Sequence, residues 1–394
     1  MKIAQRYLAA QFIPPFLLGT GFFVSFLLIF QMFRLVSLVI NKSVPWTTTL
    51  EMVFHTAVSF LPMALPLSCL FAAIYALGKM SEDSEIVVMR SFGMKKIELL
   101  APFLLIGILI GACLYSLNAE LIPYSRSTFR NTIIRLTSQG VLTDIRSEVF
   151  FTEIPKVTLF AQKVSDDGNK MEEVFIHLRE QEGVEERVIH AKRGALIKQS
   201  LGEWQAPNIR MFLEEGNIIK IKQGEVEKVL FEEYDFPVMS GGLSSDFVTK
   251  DSMMTNKELW SEIQDNKKRV NQLNGIIKNG GETERLNAAA ELATSSKEHY
   301  RVELEFWSRL NNPIQCLLFI FMGFSMGIKK GRGAQNRLSA IMSLLALLGY
   351  YVLFFGGISF VKKGQLMPEL AVFLPSFFIL VIAAIYYRKL DWNS

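Results

Sequence analysis

GKMSEDSEIVVMRSFGMKK occupies residues 78–96, between two long uncharged apolar runs. Glu82, Asp83 and Glu85 crowd its start, and Arg90, Lys95 and Lys96 close it. So many charges cannot rest in hydrocarbon, where an uncompensated ion is costly. The stretch is therefore a polar loop between two membrane helices.

Outward from this loop the apolar residues stay clustered. Half of the 394 residues are hydrophobic, and the mean hydropathy is positive. Six runs stand out: 12–40, 53–77, 99–119, 313–328, 338–360 and 370–387. An apolar helix of about 20 residues matches the thickness of a bilayer core. The expected fold is therefore a polytopic α-helical membrane protein with six transmembrane helices. The first run lacks a small-residue cleavage site after it and is expected to be retained.

Basic residues set the orientation. Lys2, Arg6, Lys79, Arg90, Lys95, Lys96, the 329–337 loop and Arg388–Lys389 fall on one side. Only Lys42, Lys362 and Lys363 fall in the opposite short loops. Both termini and the 78–97 loop are expected in the cytoplasm, and the large central segment outside. Cys69, Cys113 and Cys316 all fall in apolar runs, so the outer segment needs no disulfide and has no cysteine metal site. The net charge of +4 follows the positive-inside pattern and gives no nucleic-acid footprint.

The outer segment changes period. KVTLFAQKV, EEVFIHL, ERVIHAKRGALIK, NIRMFLEEGNIIKI and VEKVLFEEYDF alternate like strands. Asp166–Asn169, Glu182–Gly183 and Glu215-Gly216-Asn217 read as turns between them. An antiparallel sandwich or open jelly roll is expected over 121–250. Over 251–310, Leu259, Ile263, Val270, Leu273 and Ile277 recur at helical spacing. Asn279-Gly280-Gly281 then breaks the pattern before a second charged helix, giving a solvated hairpin. The regions become 1–120 with three spans, 121–250, 251–310, and 311–394 with three more.

Catalytic motifs are not found. The chain contains neither a phosphate-binding G-x-x-x-x-G-K-[ST] loop nor H-E-x-x-H, and its histidines lack ligand spacing. In the 78–96 loop, Ser81 can cap a helix over 81–93 whose first turn holds Glu82, Asp83 and Glu85, suiting the helix dipole. Ile86, Met89 and Phe92 recur every three residues and could face a partner or the lipid surface, and Gly93 frees the chain to turn. Read plainly, this is an interfacial helix with dipole-matched charges. Anionic inner-leaflet lipid would repel its acids, which favours a protein partner with a basic groove. Arg34, Lys42, Arg301 and Arg309 together could hold an anionic headgroup at the outer boundary, and each alone is an ordinary flanking cation.

These residues resemble the LptF/LptG family of lipopolysaccharide-export permeases. LGKMSEDSEIVVMRSFGMKKIELLAPFLL is similar to that family's coupling helix, with E-x-x-x-x-R-x-x-G at Glu85, Arg90 and Gly93. LNAELIPYSR is similar to the exit of its third span. VFIHLREQEGVEERVIHAKRGALI leans to the LptF branch. The resemblance implies a heterodimer with an LptG-like subunit, driven by a cytoplasmic LptB-like ATPase dimer that uses the ATP. It implies extraction of lipopolysaccharide from the outer leaflet of the inner membrane. The lipid would pass through periplasmic jelly rolls to an LptC/LptA-like bridge. Glu85 would contact the ATPase, Arg90 and Gly93 would shape the helix, and Arg34 would help hold the headgroup. The first and fifth spans would form gates. The hairpin around 256–305 is longer than the family pattern. Two other readings stay open on the residues alone: a non-transport scaffold or sensor, and a permease for another lipid or a lipoprotein.

Overall fold

The computed structural model describes residues 3–42, 45–143, 147–151, 157–165, 170–179, 185–199, 208–222, 225–239, 250–279, 282–328 and 335–390. The predicted turns at 166–169 and 182–183, and residues 329–334 of the basic loop, lie outside them. The chain divides into two compact units. One comprises 1–35, 53–126 and 249–394, and the other 36–52 and 127–248.

In chain order the helices are α1 (Ile3–Lys42), α2 (Trp46–Glu82), α3 (Glu85–Ser91), α4 (Lys96–Ser116) and α5 (Ile122–Thr143), with a π-turn (Leu117–Leu121) joining the last two. After the strands come α6 (Lys250–Met253), α7 (Asn256–Asn279), α8 (Glu282–Gly327), α9 (Gln335–Lys362) and α10 (Pro368–Lys389). Among the described residues five helices are long and apolar enough to cross a membrane. The fourth expected run lies in α8, diluted by Asn311, Asn312 and Gln315, and is not among the five.

Those polar residues have a use inside the bundle. Ser376 donates to Asn311 Oδ1 at 2.8 Å, and Asn311 Nδ2 donates to the Val372 carbonyl at 3.3 Å. Gln315 Nε2 donates to the buried Tyr350 hydroxyl. Polar groups satisfied in this way bind α8 to α9 and α10. Glycines bring the other neighbours close. A Cβ on Gly323 would lie 2.6 Å from Ala73 Cβ of α2, and one on Gly111 would lie 3.0 Å from the Pro313 carbonyl oxygen.

Pro313, inside α8, cannot donate to the Arg309 carbonyl one turn earlier. Asn118 Nδ2, from the π-turn, reaches that carbonyl at 3.5 Å. Pro14 and Pro15 lie near the start of the first apolar run, where a missing N–H costs least if the helix begins there. They fall inside α1 instead, because the helix already starts at Ile3. The third apolar helix does not stop at Ala119; it continues through the π-turn into α5.

The second unit holds β1 (Val157–Val164), β2 (Lys170–Arg179), β3 (Glu185–Gln199), β4 (Asn208–Lys222) and β5 (Glu225–Met239) in one antiparallel sheet, ordered as in sequence. Among the described residues this is a meander, with no second sheet to complete a sandwich. Each strand shows a hydrophobic alternation that slips at one polar doublet: Gln162-Lys163, Glu172-Glu173, Lys192-Arg193, Glu214-Glu215 and Glu232-Glu233. The antiparallel pairing also lapses there. Gln162, Glu173, Lys192, Glu215 and Glu232 form a row across the sheet that is skipped in every ladder, and the same register resumes beyond it.

Glu173 and Glu215 both have φ near +50°. Two consecutive side chains therefore point outward, and the sheet creases, as at a bulge. Apolar residues on both sides of the crease then reach one core, from Leu159 and Val174 to Leu196 and Phe236. Lys163–Glu172 at 3.2 Å, Lys192–Glu215 at 2.7 Å and Arg193–Glu214 at 3.1 Å pair opposite charges along its outer side.

Glu215-Gly216-Asn217, expected as a turn, lies within β4 at the crease. Gly216 fits because a Cβ there would meet the His190 carbonyl oxygen at 2.3 Å and the Phe231 ring at 2.5 Å. Gly216→Ala should destabilise the sheet by about 1–3 kcal/mol, the usual range for overpacking. Hydrogen exchange over β3–β5 in the full chain should quicken while the amides of α4 and α8 keep their rates. Unchanged exchange would contradict the close approach.

Candidate functional site

Helix α3 is seven residues long, too short to hold itself together in water. It is bracketed by two left-handed residues. Ser84 has φ 62°, and Gly93 has φ +80°. The expected start at Ser81 is corrected: α2 runs on to Glu82, and the Ser81 hydroxyl bonds back to the Leu77 carbonyl at 2.7 Å. Glu82 therefore ends α2, Asp83 lies in the turn, and only Glu85 falls in the first turn of α3. At the other end, Gly93 N–H donates to Arg90 O at 2.8 Å and Met94 N–H to Met89 O at 3.2 Å. This is a Schellman motif, and Gly93 supplies its left-handed residue.

Packing holds the helix in place. Ile86 is 3% exposed, in one core with Leu8, Phe12, Leu77, Leu99 and Phe103, and Met89 and Met94 pack against it. Ile86 and Met89 thus face the bundle, away from any partner. Phe92 is 83% exposed, and Val87 and Val88 are exposed beside it. The sequence reading missed those valines because a period of three follows the inward side of the helix.

Polar ties fix both ends of the segment. The Tyr7 hydroxyl of α1 donates to Glu85 Oε1 at 2.8 Å, and Gln11 Nε2 donates to the Tyr7 oxygen at 3.0 Å. Glu85 Oε2 is buried with no hydrogen-bond partner. Lys96 Nζ donates to the Leu390 carbonyl at 2.6 Å and lies over the Tyr387 ring.

A second polar cluster surrounds Arg309. This guanidinium is buried, and all five of its N–H donors are used within the chain. Nε bonds Glu305 at 3.0 Å. One terminal nitrogen bonds the Met254 carbonyl at 2.7 Å and Asn256 Oδ1 at 3.1 Å. The other bonds the Asp251 and Ser252 carbonyls at 3.3 and 3.1 Å. Arg309 therefore caps the end of α6, and in this conformation it has no donor left for a headgroup. Arg301 pairs with buried Asp251 but stays half exposed. Arg34 and Lys42 lie on the last turns of α1, and their side chains lie outside the described residues.

Arg126 approaches Glu305 at 3.1 Å from the other side. Burial pushes the Glu305 carboxyl up, but Arg126 and Arg309 outweigh it and hold the group below the usual carboxylate range. Trp260 packs on Phe306, and Trp307 on Phe373. Among the described residues no group of three or more His, Cys, Asp or Glu side chains could hold a metal ion.

Long apolar helices bundled around α8, with an antiparallel sheet inserted between α5 and α6, define a multi-pass membrane protein carrying an inserted sheet domain. The family model for the lipopolysaccharide export system permease LptF/LptG matches residues 6–389, and the chain belongs to that family. An uncharacterised protein of Rickettsia prowazekii (strain Madrid E), RP871, is 21% identical over 176 residues, which is 45% of this chain and 48% of that protein. The chain thus spans about half the length of that curated relative.

Because the folded pKa of Glu305 is depressed, its contribution to stability is full above the ordinary glutamate value and is lost as pH falls through the folded one. At pH 7, Glu305→Gln should cost roughly 2 kcal/mol, less than for a fully buried pair. The deficit should shrink below about pH 4.3. Thermal unfolding in detergent across that range measures it, and a deficit independent of pH would contradict the assignment.

Proposed function

We propose that this chain is the permease subunit, of LptF type, of an ATP-driven exporter that extracts lipopolysaccharide from the outer leaflet of the inner membrane. The family match over nearly the whole length carries the reading. On this reading α8 supplies the sixth span, both termini and α3 face the cytoplasm, and the sheet lies in the periplasm. The aromatic pairs Trp260–Phe306 and Trp307–Phe373 support an outer interface at that level of α8.

Extraction needs an energy source. A lipid with several acyl chains is held by roughly 0.8 kcal/mol per buried CH₂, and this sequence carries no nucleotide loop of its own. A cytoplasmic LptB-like ATPase dimer would supply the work through α3. Exposed Val87, Val88 and Phe92, with half-buried Glu85 on the same short helix, suit an apolar groove with a basic residue at its rim. Arg90 and Gly93 shape the helix, and Glu82 and Asp83 add negative charge to its approach.

An LptG-like second permease would cover the faces this chain leaves open. Most of the apolar residues of α1 and α9 are not buried within the chain, which supports these helices, the first and fifth spans, as the gates. Headgroup contact is assigned to Arg34, Lys42 and the exposed part of Arg301. The outer strands of the sheet would pair with an LptC/LptA-like jelly-roll bridge by β-augmentation.

Glu85→Lys should weaken co-purification of the ATPase by at least about tenfold, because a like charge meets the partner's cation, with membrane insertion intact. Wild-type co-purification would sink the docking assignment, and capture of a regulator in place of an ATPase would favour a sensor. Arg34→Glu should reduce site-specific crosslinking of lipopolysaccharide several-fold. Equal crosslinking would remove Arg34 from the headgroup site.

A further inference from the structure

The ties on α3 point to a mechanical role for residues outside the docking surface. Helix α3 is short, and the left-handed residues Ser84 and Gly93 set it off from α2 and α4 by a turn at each end. A push on it would be absorbed there unless something fastens the helix to a longer element. Tyr7 and Gln11 do this on the α1 side. The Tyr7 hydroxyl donates to Glu85 and accepts from Gln11, and bonds to a charged acceptor are the stronger kind.

The fastened part of α1 is itself a short arm. Pro14 and Pro15 lie three and four residues beyond Gln11. Neither can donate a backbone hydrogen bond, so the helix lacks two consecutive i→i−4 bonds there. Leu8 and Phe12 are fully buried in the same core as Ile86, and the Phe12 ring meets Phe103 edge-on at 5.7 Å. Beyond the prolines α1 is exposed at Leu17, Leu18, Phe22 and Phe26.

We infer that Tyr7, supported by Gln11, is a positioning residue that locks the arm 3–13 of α1 to α3, so that the two move as one body about Pro14-Pro15. A displacement of α3 then reaches the exposed face of α1 as a bend at the prolines. The link to transport rests on the function proposed above; the lock itself rests on the geometry alone.

Tyr7→Phe removes only the hydroxyl and keeps the ring. Spin labels at Ala10 and Phe92, both exposed, with Cys69, Cys113 and Cys316 replaced by Ala, report the distance between arm and α3 without any partner. Its distribution should widen about twofold in Tyr7→Phe, because one charge-assisted bond is lost. Gln11→Met should widen it less. An unchanged width in Tyr7→Phe overturns the lock.

In proteoliposomes containing the whole transporter and lipopolysaccharide, Tyr7→Phe should retain the ATPase at wild-type levels. It should release about threefold less lipid per ATP hydrolysed, the sign of an interaction made during the stroke. Unchanged lipid per ATP overturns the link to transport. If the wild-type chain captures no ATPase, the functional reading fails, and the distance measurement still decides the lock.

Discussion

The helical unit depends on how closely neighbouring backbones approach α8. Gly323 meets Ala73 of α2, Gly327 meets Leu77 and the α2 backbone at Ile74, and Gly107 and Gly111 of α4 meet Leu317, Ile320 and Pro313. Between apolar helices in lipid there is little hydrophobic drive, so dispersion contacts and a few satisfied polar groups must hold them. Close approach supplies the first. The Asn311–Ser376 and Gln315–Tyr350 bonds supply the second. Asn118, donating to the carbonyl that Pro313 leaves open, meets the stricter demand that backbone groups find partners where water is scarce.

Around this centre, rigidity and freedom are distributed unevenly. Arg309 ties α8 to the end of α6 and the start of α7 through its two terminal nitrogens, so the base of the α7–α8 hairpin is fixed. Helix α3 is seated by three apolar side chains yet jointed at both ends. A segment so placed is tied to the bundle on its inner side and open on its outer one.

Much of this was legible in the sequence. Five of the six long apolar runs lie in helices able to cross a membrane, alternation located the five strands among the described residues, and helical spacing with a glycine break gave the hairpin. What escaped was decided by local competition. Ser81 had the residue type of a cap, but its hydroxyl took the carbonyl one turn back and α2 ran on. The period of three through Ile86 and Met89 marked a buried side. Charge alone suggested a headgroup role for Arg309, and only the fold reveals the carbonyls that take its donors. The Tyr7–Glu85 bond joins residues 78 positions apart and has no signal in spacing. Glu215-Gly216-Asn217 had turn chemistry, yet its left-handed residue serves a crease.

That crease also constrains how the chain can change length. Each strand reaches the core on both sides only because two outward residues, rather than one, separate its halves. With the neighbouring strands holding the crease, deleting one member of a doublet would shift the rest of its strand by one residue and turn half its apolar set to solvent. A one-residue insertion there would disturb the aligned row in the adjoining ladders. Variation in strand length is therefore tolerated at the strand ends, and the middle of the sheet admits substitutions but no insertions or deletions.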